Sequence, residues 1–499
     1  MGKASRAKRP GIGPTVAADG STTSASRPTA PADRAPAPVP AAPSTGFAGV
    51  LAGWGSGLVS IAATCWLLGH IPALAPVAIP AWIVAGLVLG FLVPWLGLLL
   101  TIAVVPFLGG AIDPIAGEVL RVIPIYGAAA RVLVERFVLG PRLGRGGRVS
   151  LPSPPWWVVA AGIAATALYA FTAQTGYLAV GKEPLYFDSA LHWLAGGPMA
   201  MRAAWIAASH LVAGRDRTLT IVVLGTTVVA CTLALVAWAG IPGVELITFP
   251  GIVNGRLAGL GYPTPTAMGL AISLPFAVAA ALRSSRWLAF GVIGLALVVL
   301  ILTWSRGPLI AIGVGTVVAV LATGRVDRRL AMAGLGVGAV AFVGLVAVRY
   351  GTNLEAIIAA ISGGTGSDVD RVNTWIAAVA ITIANPLVGG GWHSLERFGD
   401  FATRNVVYSH NILLHGFAEG GIPLGITNAT VILYSAWRVW LGRHTMAPYL
   451  IAAAVTCLVC GFWDMPQVRS YAAVMGGIAL GMAAGPLIGR SSGSTKPEA

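Results

Sequence analysis

Four groups of polar residues interrupt an otherwise apolar chain. The first is Asn254-Gly255-Arg256-Leu257-Ala258-Gly259, leading into Tyr262-Pro263-Thr264-Pro265-Thr266. The second is Thr303-Trp304-Ser305-Arg306-Gly307. The third is Asp370-Arg371 with Trp375, then Pro386 and the glycines at 389, 390 and 391. The fourth is Ser409-His410-Asn411, then His415 and Glu419-Gly420-Gly421. A guanidinium group binds phosphate oxygens through two parallel hydrogen bonds. Arg256 and Arg306, each beside a glycine at an expected helix start, either snorkel to lipid headgroups or, together with helix N-terminal amides, hold a diphosphate without a metal. His410 is a candidate general base, because an imidazole titrates near neutrality. His393 and His415 compete for that role. His415 lies about one turn beyond His410 and is expected on the same helix face. Glu419 is either part of the site or a buried hydrogen-bond acceptor.

Other chemistries find little support. No HExxH, Walker A or GxSxG string occurs. Asp368-Val369-Asp370 is a short DxD string, and Asp370 is expected to pair with Arg371 or cap the helix that follows. Cys457 and Cys460 form a CxxC inside the apolar run 451–462, where packing is the better reading. No metal or other cofactor is expected.

The elements that must position these groups follow from composition. Hydrophobic residues make up 56% of the 499, and charged residues only 10%. Soluble domains carry about 25% charged residues, so most of this surface must face lipid. A spanning helix needs about 20 apolar residues and bonds its own backbone. Apolar runs recur near 48–69, 72–92, 94–112, 156–176, 190–213, 218–239, 264–282, 287–303, 307–323, 330–348, 411–440, 446–463 and 470–488. Asp113–Leu139 is apolar but carries Arg121, Arg131 and Arg136; crossing and lying along the interface both fit. The expected fold is all-α, a polytopic membrane bundle of about 12–14 helices. A long structured loop, 349–410, is expected outside the cytoplasm; within it 372–384 reads as a short helix ended by Asn385-Pro386.

The net charge of +14 reads as loop arginines obeying the positive-inside rule, not as nucleic-acid binding. The basic loops are 142–148, 215–217, 283–286, 325–329 and 438–443. Placing them inside puts both termini in the cytoplasm and all four polar groups outside. Residues 1–45 are rich in Pro, Ala and basic residues and read as a disordered cytoplasmic tail. Residues 46–490 form the membrane domain, and 491–499 a second tail.

In order and spacing, the four groups resemble the O-antigen ligase and O-antigen polymerase superfamily. The matching residues are Arg256, Gly259 and Pro265; Ser305-Arg306-Gly307; Arg371, Trp375, Pro386, Gly389 and Gly391; and His410-Asn411 with Glu419-Gly420. They cover about 250–425. Thr266 departs from the pattern, since many relatives carry Asn there. The resemblance implies metal-independent, inverting glycosyl transfer at the outer face of the bacterial cytoplasmic membrane. The donor would be a saccharide on polyprenyl diphosphate, and the acceptor a glycolipid or glycan. Arg256, Arg306 and Arg371 would bind the diphosphate. His410 would take the acceptor proton, with Asn411, Glu419, Ser305 and His415 in support. Ligase-type transfer is favoured over polymerase. A flippase or small-solute transporter is the competing class, and it predicts ionisable residues near mid-span. The spans from 264 to 348 have almost none.

Overall fold

A computed structural model describes residues 63, 70–107, 114–139, 154–178, 194–212, 214–244, 252–253, 256–259, 262–324, 366–392, 394–397 and 408–485. All lie within the unit Thr45–Ala499. The expected tails, His393, the run near 48–69 except residue 63, the run near 330–348, and 349–365 of the outer loop lie outside the described residues.

Fourteen α-helices make up the described bundle: α1 (Ala75–Leu92), α2 (Pro94–Val104), α3 (Pro114–Leu120), α4 (Ile123–Leu133), α5 (Trp156–Leu178), α6 (Ala200–Leu211), α7 (Asp216–Trp238), α8 (Pro263–Ser284), α9 (Arg286–Leu302), α10 (Arg306–Thr323), α11 (Gly366–Ala384), α12 (Ile412–Gly442), α13 (Pro448–Trp463) and α14 (Ser470–Ala484). The one departure from helix is a two-residue antiparallel pair, β1 (Ile252–Val253) with β2 (Arg256–Leu257). The all-α membrane fold is therefore present. Among the described residues, α1, α7, α8 and α10 are long and apolar enough to cross a membrane. Six further apolar helices are shorter.

Local chemistry sets several boundaries. Pro94 disfavours helix at the residue before it, and Val93 accordingly leaves the helical region between α1 and α2. Ser285 caps α9 by accepting from the amide of Trp287 at 3.2 Å. Small residues let backbones meet. A side chain at Gly477 or Gly481 of α14 would sit 2.3 or 2.5 Å from a backbone carbonyl of α6, at Met201 or Trp205.

Those contacts make α6 and α14 parallel and define two ends of the bundle. One end carries Pro263, the turn 303–305, Asp464 and Ser470. The other carries His210, Arg438 and Gly485, and a cluster in which Arg283 meets Asp216 at 3.2 Å and Tyr449 meets the same carboxylate at 3.2 Å. The basic loops 215–217, 283–286 and 438–443 thus gather at one end.

The ambiguous stretch Asp113–Leu139 is resolved by its contacts. Arg121 reaches Ser470 and the carbonyl of Phe107 at the first end. Arg136, in the wider turn Val134–Leu139 that prolongs α4, reaches His210 at the other. The segment traverses the bundle along its length. Its apolar positions are buried against α1, α2 and α6.

The run 411–440, expected as one span, is broken. Gly420 and Gly421 leave helical geometry inside α12, with Gly421 at φ 65°. Pro423 has no N–H to offer the carbonyl of Glu419 four residues earlier. Three bonds from outside repair the break. The amide of Gly390 donates to Ala418 O at 2.8 Å, Gly391 to Glu419 O at 2.9 Å, and Ile422 to Pro386 O at 2.7 Å. The glycine turn after α11 is therefore a latch on α12. Gly389, at φ 64°, has no room for a side chain there.

Candidate active site

Arg256 is held by the turn between α9 and α10. Its Nε donates to Thr303 O at 2.7 Å, and an Nη to Ser305 Oγ at 2.8 Å. The expectation of a helix start at Arg256 is corrected: it lies on β2, which precedes α8. Thr266, the residue that departs from the family pattern, is buried and donates to Ala258 O, tying that strand to α8. Trp304 takes φ 52°, a left-handed conformation unusual for an aromatic residue. Ser305 stands at the N-cap of α10, yet its hydroxyl makes no cap and turns to Arg256. Arg306 is the first residue of α10. A cation is electrostatically disfavoured at a helix N-terminus, which makes an anionic ligand there the more attractive partner.

His410 is the second non-glycine residue with positive φ, also 52°, among those described. Its neighbours are both anchored. Ser409 is buried, its carbonyl taken by Thr374 of α11 at 3.2 Å. Asn411 caps α12 by accepting from the amides of Leu413 and Leu414, both at 3.0 Å, and donates to Phe462 O at 3.2 Å. Asn411 is thus a positioning residue. Between these anchors, His410 points Nδ1 at Asp464 Oδ1, 3.2 Å away, with 35% of its side chain exposed. Burial alone would raise the Asp464 carboxyl. The hydrogen bond from His410 and the charges of His410 and Arg371 outweigh burial and hold it below the usual carboxylate value. An ionised carboxylate can only accept, so Nδ1 carries the proton. In the neutral ring, Nε2 then carries the lone pair.

His415 does not share this environment. It sits inside α12, buried, with Nε2 3.1 Å from Glu419 Oε2. Its ring also meets Tyr408 edge-on, at 5.7 Å. Glu419 is buried, with Oε2 facing His415 one turn earlier in α12. Asp370 falls inside α11, which begins at Gly366, and not ahead of a helix as expected. Trp375 packs on Phe462 and Trp463 at 5.6 and 5.9 Å, beside Asp464.

Two packing relations put the arginine and histidine groups at one end. Helices α10 and α13 run side by side, with Thr456 donating to Ala311 O at 3.4 Å. Arg306 and Asp464 therefore emerge together. The turn 464–469 then touches both groups. Asp464 meets His410, while Arg469 lies 4.7 Å over the ring of Tyr262, next to α8. Arg469 also meets buried Glu118, which Arg121 approaches at 3.3 Å. Sequence reasoning missed Asp464, Arg469 and Glu118. The signal for the first two was available: charged residues in a short turn between apolar runs, as at Arg306.

The class defined by this geometry is a helical membrane protein with a basic, histidine-containing polar cluster at one bundle end. Residues 291–429 match the family model described as O-antigen ligase. The matched span holds Arg306, Arg371, His410, Asn411, His415 and Glu419, and excludes Arg256 and Asp464. The resemblance to the O-antigen ligase and polymerase superfamily is borne out over that span, marking a glycan-processing membrane protein. No curated protein matches the chain.

Proposed function

We propose that this protein is a ligase-like glycosyltransferase of the bacterial cytoplasmic membrane. It moves a saccharide from a polyprenyl-diphosphate donor to a hydroxyl of a glycolipid or glycan acceptor. The observation that carries the reading is the His410–Asp464 pair within the same cluster as Arg371, at the end where Arg256 and Arg306 emerge.

In this reading, Asp464 fixes the imidazole so that Nε2 faces the acceptor. Nε2 takes the proton as the acceptor oxygen bonds to the anomeric carbon. The bond from that carbon to the phosphate oxygen breaks on the opposite face, its electron pair leaves with the diphosphate, and the configuration inverts. Arg256, Arg306 and Arg371 take up the developing charge, which is the role a metal plays elsewhere. Ser305 and Asn411 hold Arg256 and His410 in place. His415 and Glu419 brace the first half of α12. The basic loops lie inside and the site outside, following the positive-inside rule.

The test is direct. Purified protein is incubated with a polyprenyl-diphosphate oligosaccharide and candidate acceptors, and the products are sized. A single conjugate, lost on His410→Ala, supports the ligase reading. A ladder lost on the same change assigns polymerase activity. Transfer that persists at the wild-type rate in His410→Ala refutes the mechanism.

A further inference from the structure

The opposite end of the bundle holds a second basic cluster with no part in the reaction. Arg136, beyond α4, contacts Nε2 of His210 at 2.7 Å and donates to Pro154 O. Arg438, in α12, donates to Gly485 O at 2.8 Å, and its Nε is buried with no acceptor. Both guanidinium groups lie within electrostatic reach of the Tyr434 phenol. Among the described residues neither meets a carboxylate. The nearby acid, Glu135, is taken by Arg131 at 2.7 Å.

The surroundings fix the depth of this cluster. Trp157 meets Tyr434 edge-on at 6.1 Å, and Trp437 lies 5.6 Å from the same ring. Both tryptophans are about half exposed. Tryptophan at a helix end marks the headgroup level of a bilayer. Two cations without acids, at that depth and between helices, suit a phosphodiester. Guanidinium holds one through paired hydrogen bonds, and basic sites between membrane helices select anionic headgroups.

We propose that Arg136 and Arg438 together bind the headgroup of one anionic phospholipid between α4, α5 and α12. The site differs from diffuse attraction to a charged leaflet because it requires these two arginines and not their exposed neighbours. Arg217, exposed at the same end, is the control.

The experiment is lipid retention by the purified full-length protein, read by native mass spectrometry after exchange into phosphatidylglycerol or phosphatidylcholine. The wild type and Arg217→Gln should keep one phosphatidylglycerol under conditions that strip phosphatidylcholine. Arg438→Gln should weaken retention on the order of tenfold, and Arg136→Gln likewise. If Arg136→Gln fails to fold, Arg438→Gln and the wild-type comparison of the two lipids still decide the matter. Equal retention of both lipids overturns the proposal. So does equal loss in Arg217→Gln, which would mean diffuse charge. Full displacement of the lipid by matched inorganic phosphate also overturns it, because the site would then bind free phosphate.

Discussion

Gly389→Ala tests whether the glycine turn is a latch on α12. The added Cβ would lie 2.5 Å from the carbonyl carbon and oxygen of Glu419 and from the amide of Gly421. All three are backbone atoms, so none can swing aside. The native φ of 64° adds a left-handed penalty of about 1–2 kcal/mol for alanine. Overpacking adds about 1–3 kcal/mol. The alternative is to release the turn, forfeiting the Gly390, Gly391 and Ile422 bonds. At about 0.5–1.5 kcal/mol each, that costs roughly 1.5–4.5 kcal/mol. Both routes come to a few kcal/mol, and the released state becomes competitive with the docked one. Hydrogen exchange by mass spectrometry should show peptides over 386–392 and 418–422 exchanging about 30-fold faster, the factor for roughly 2 kcal/mol of lost local stability. Transfer should fall as well, because the same half of α12 begins beside His410. Gly307→Ala is the control within the Ser-Arg-Gly turn, since no atom lies within 4 Å of its added Cβ. It should be neutral or stabilising by up to about 1 kcal/mol. Wild-type exchange in Gly389→Ala, or equal disruption in Gly307→Ala, refutes the latch.

Asp464→Asn should preserve expression and fold but lower the rate constant for transfer by about 10²-fold or more, with little change in donor KM, because the amide no longer fixes the Nδ1–H tautomer. The same carboxyl links stability to acidity. Its folded pKa is depressed, so its contribution is fully present above the usual carboxylate value of about 3.9 and is lost as pH falls through the lower folded value; acid titration of thermal stability should show this component in the wild type and not in Asp464→Asn. Arg256→Lys replaces the planar fork, which reaches Thr303 O and Ser305 Oγ through separate nitrogens, with a single ammonium, and kcat/KM for the donor should drop about 10–100-fold in a transfer assay. Asn411→Ala removes a cap worth about 0.5–2 kcal/mol and should lower the melting temperature, whereas Asn411→Asp should recover most of it.

Much of this organisation is legible in the sequence because lipid makes polar residues conspicuous. Arg306 stands out because an arginine that opens an apolar run must find an anion or a polar partner. His410-Asn411 stands out because Asn is a good cap just ahead of an apolar helix. Hydropathy is blind to the break in α12, since Gly420, Gly421 and Pro423 hardly lower the apolar character of the run 411–440. The local chemistry was nonetheless written there: a proline four residues after Glu419 leaves that carbonyl without its helical donor. What could not be read was the donor itself, the amide of Gly391 on a separate turn. Asp113–Leu139 was undecidable for the same reason, because its arginines fit either placement until Arg121 and Arg136 are seen to contact opposite ends.

Acidic residues show most clearly where sequence reading stops. The chain has only 18, against 32 basic residues. An acid near an apolar run is therefore better read by asking which base it serves than by what chemistry it could do alone. Glu118 serves Arg121 and Arg469, which steadies the turn 464–469 from behind. Asp464 serves His410 from the front of that turn. Glu419 serves His415 within α12. Of the three, only Asp464 holds a histidine that is partly exposed, while the histidine beside Glu419 is buried. That difference separates two structural pairs from one that can direct a proton. It depends on contacts between residues up to several hundred positions apart, so no local spacing rule could have supplied it.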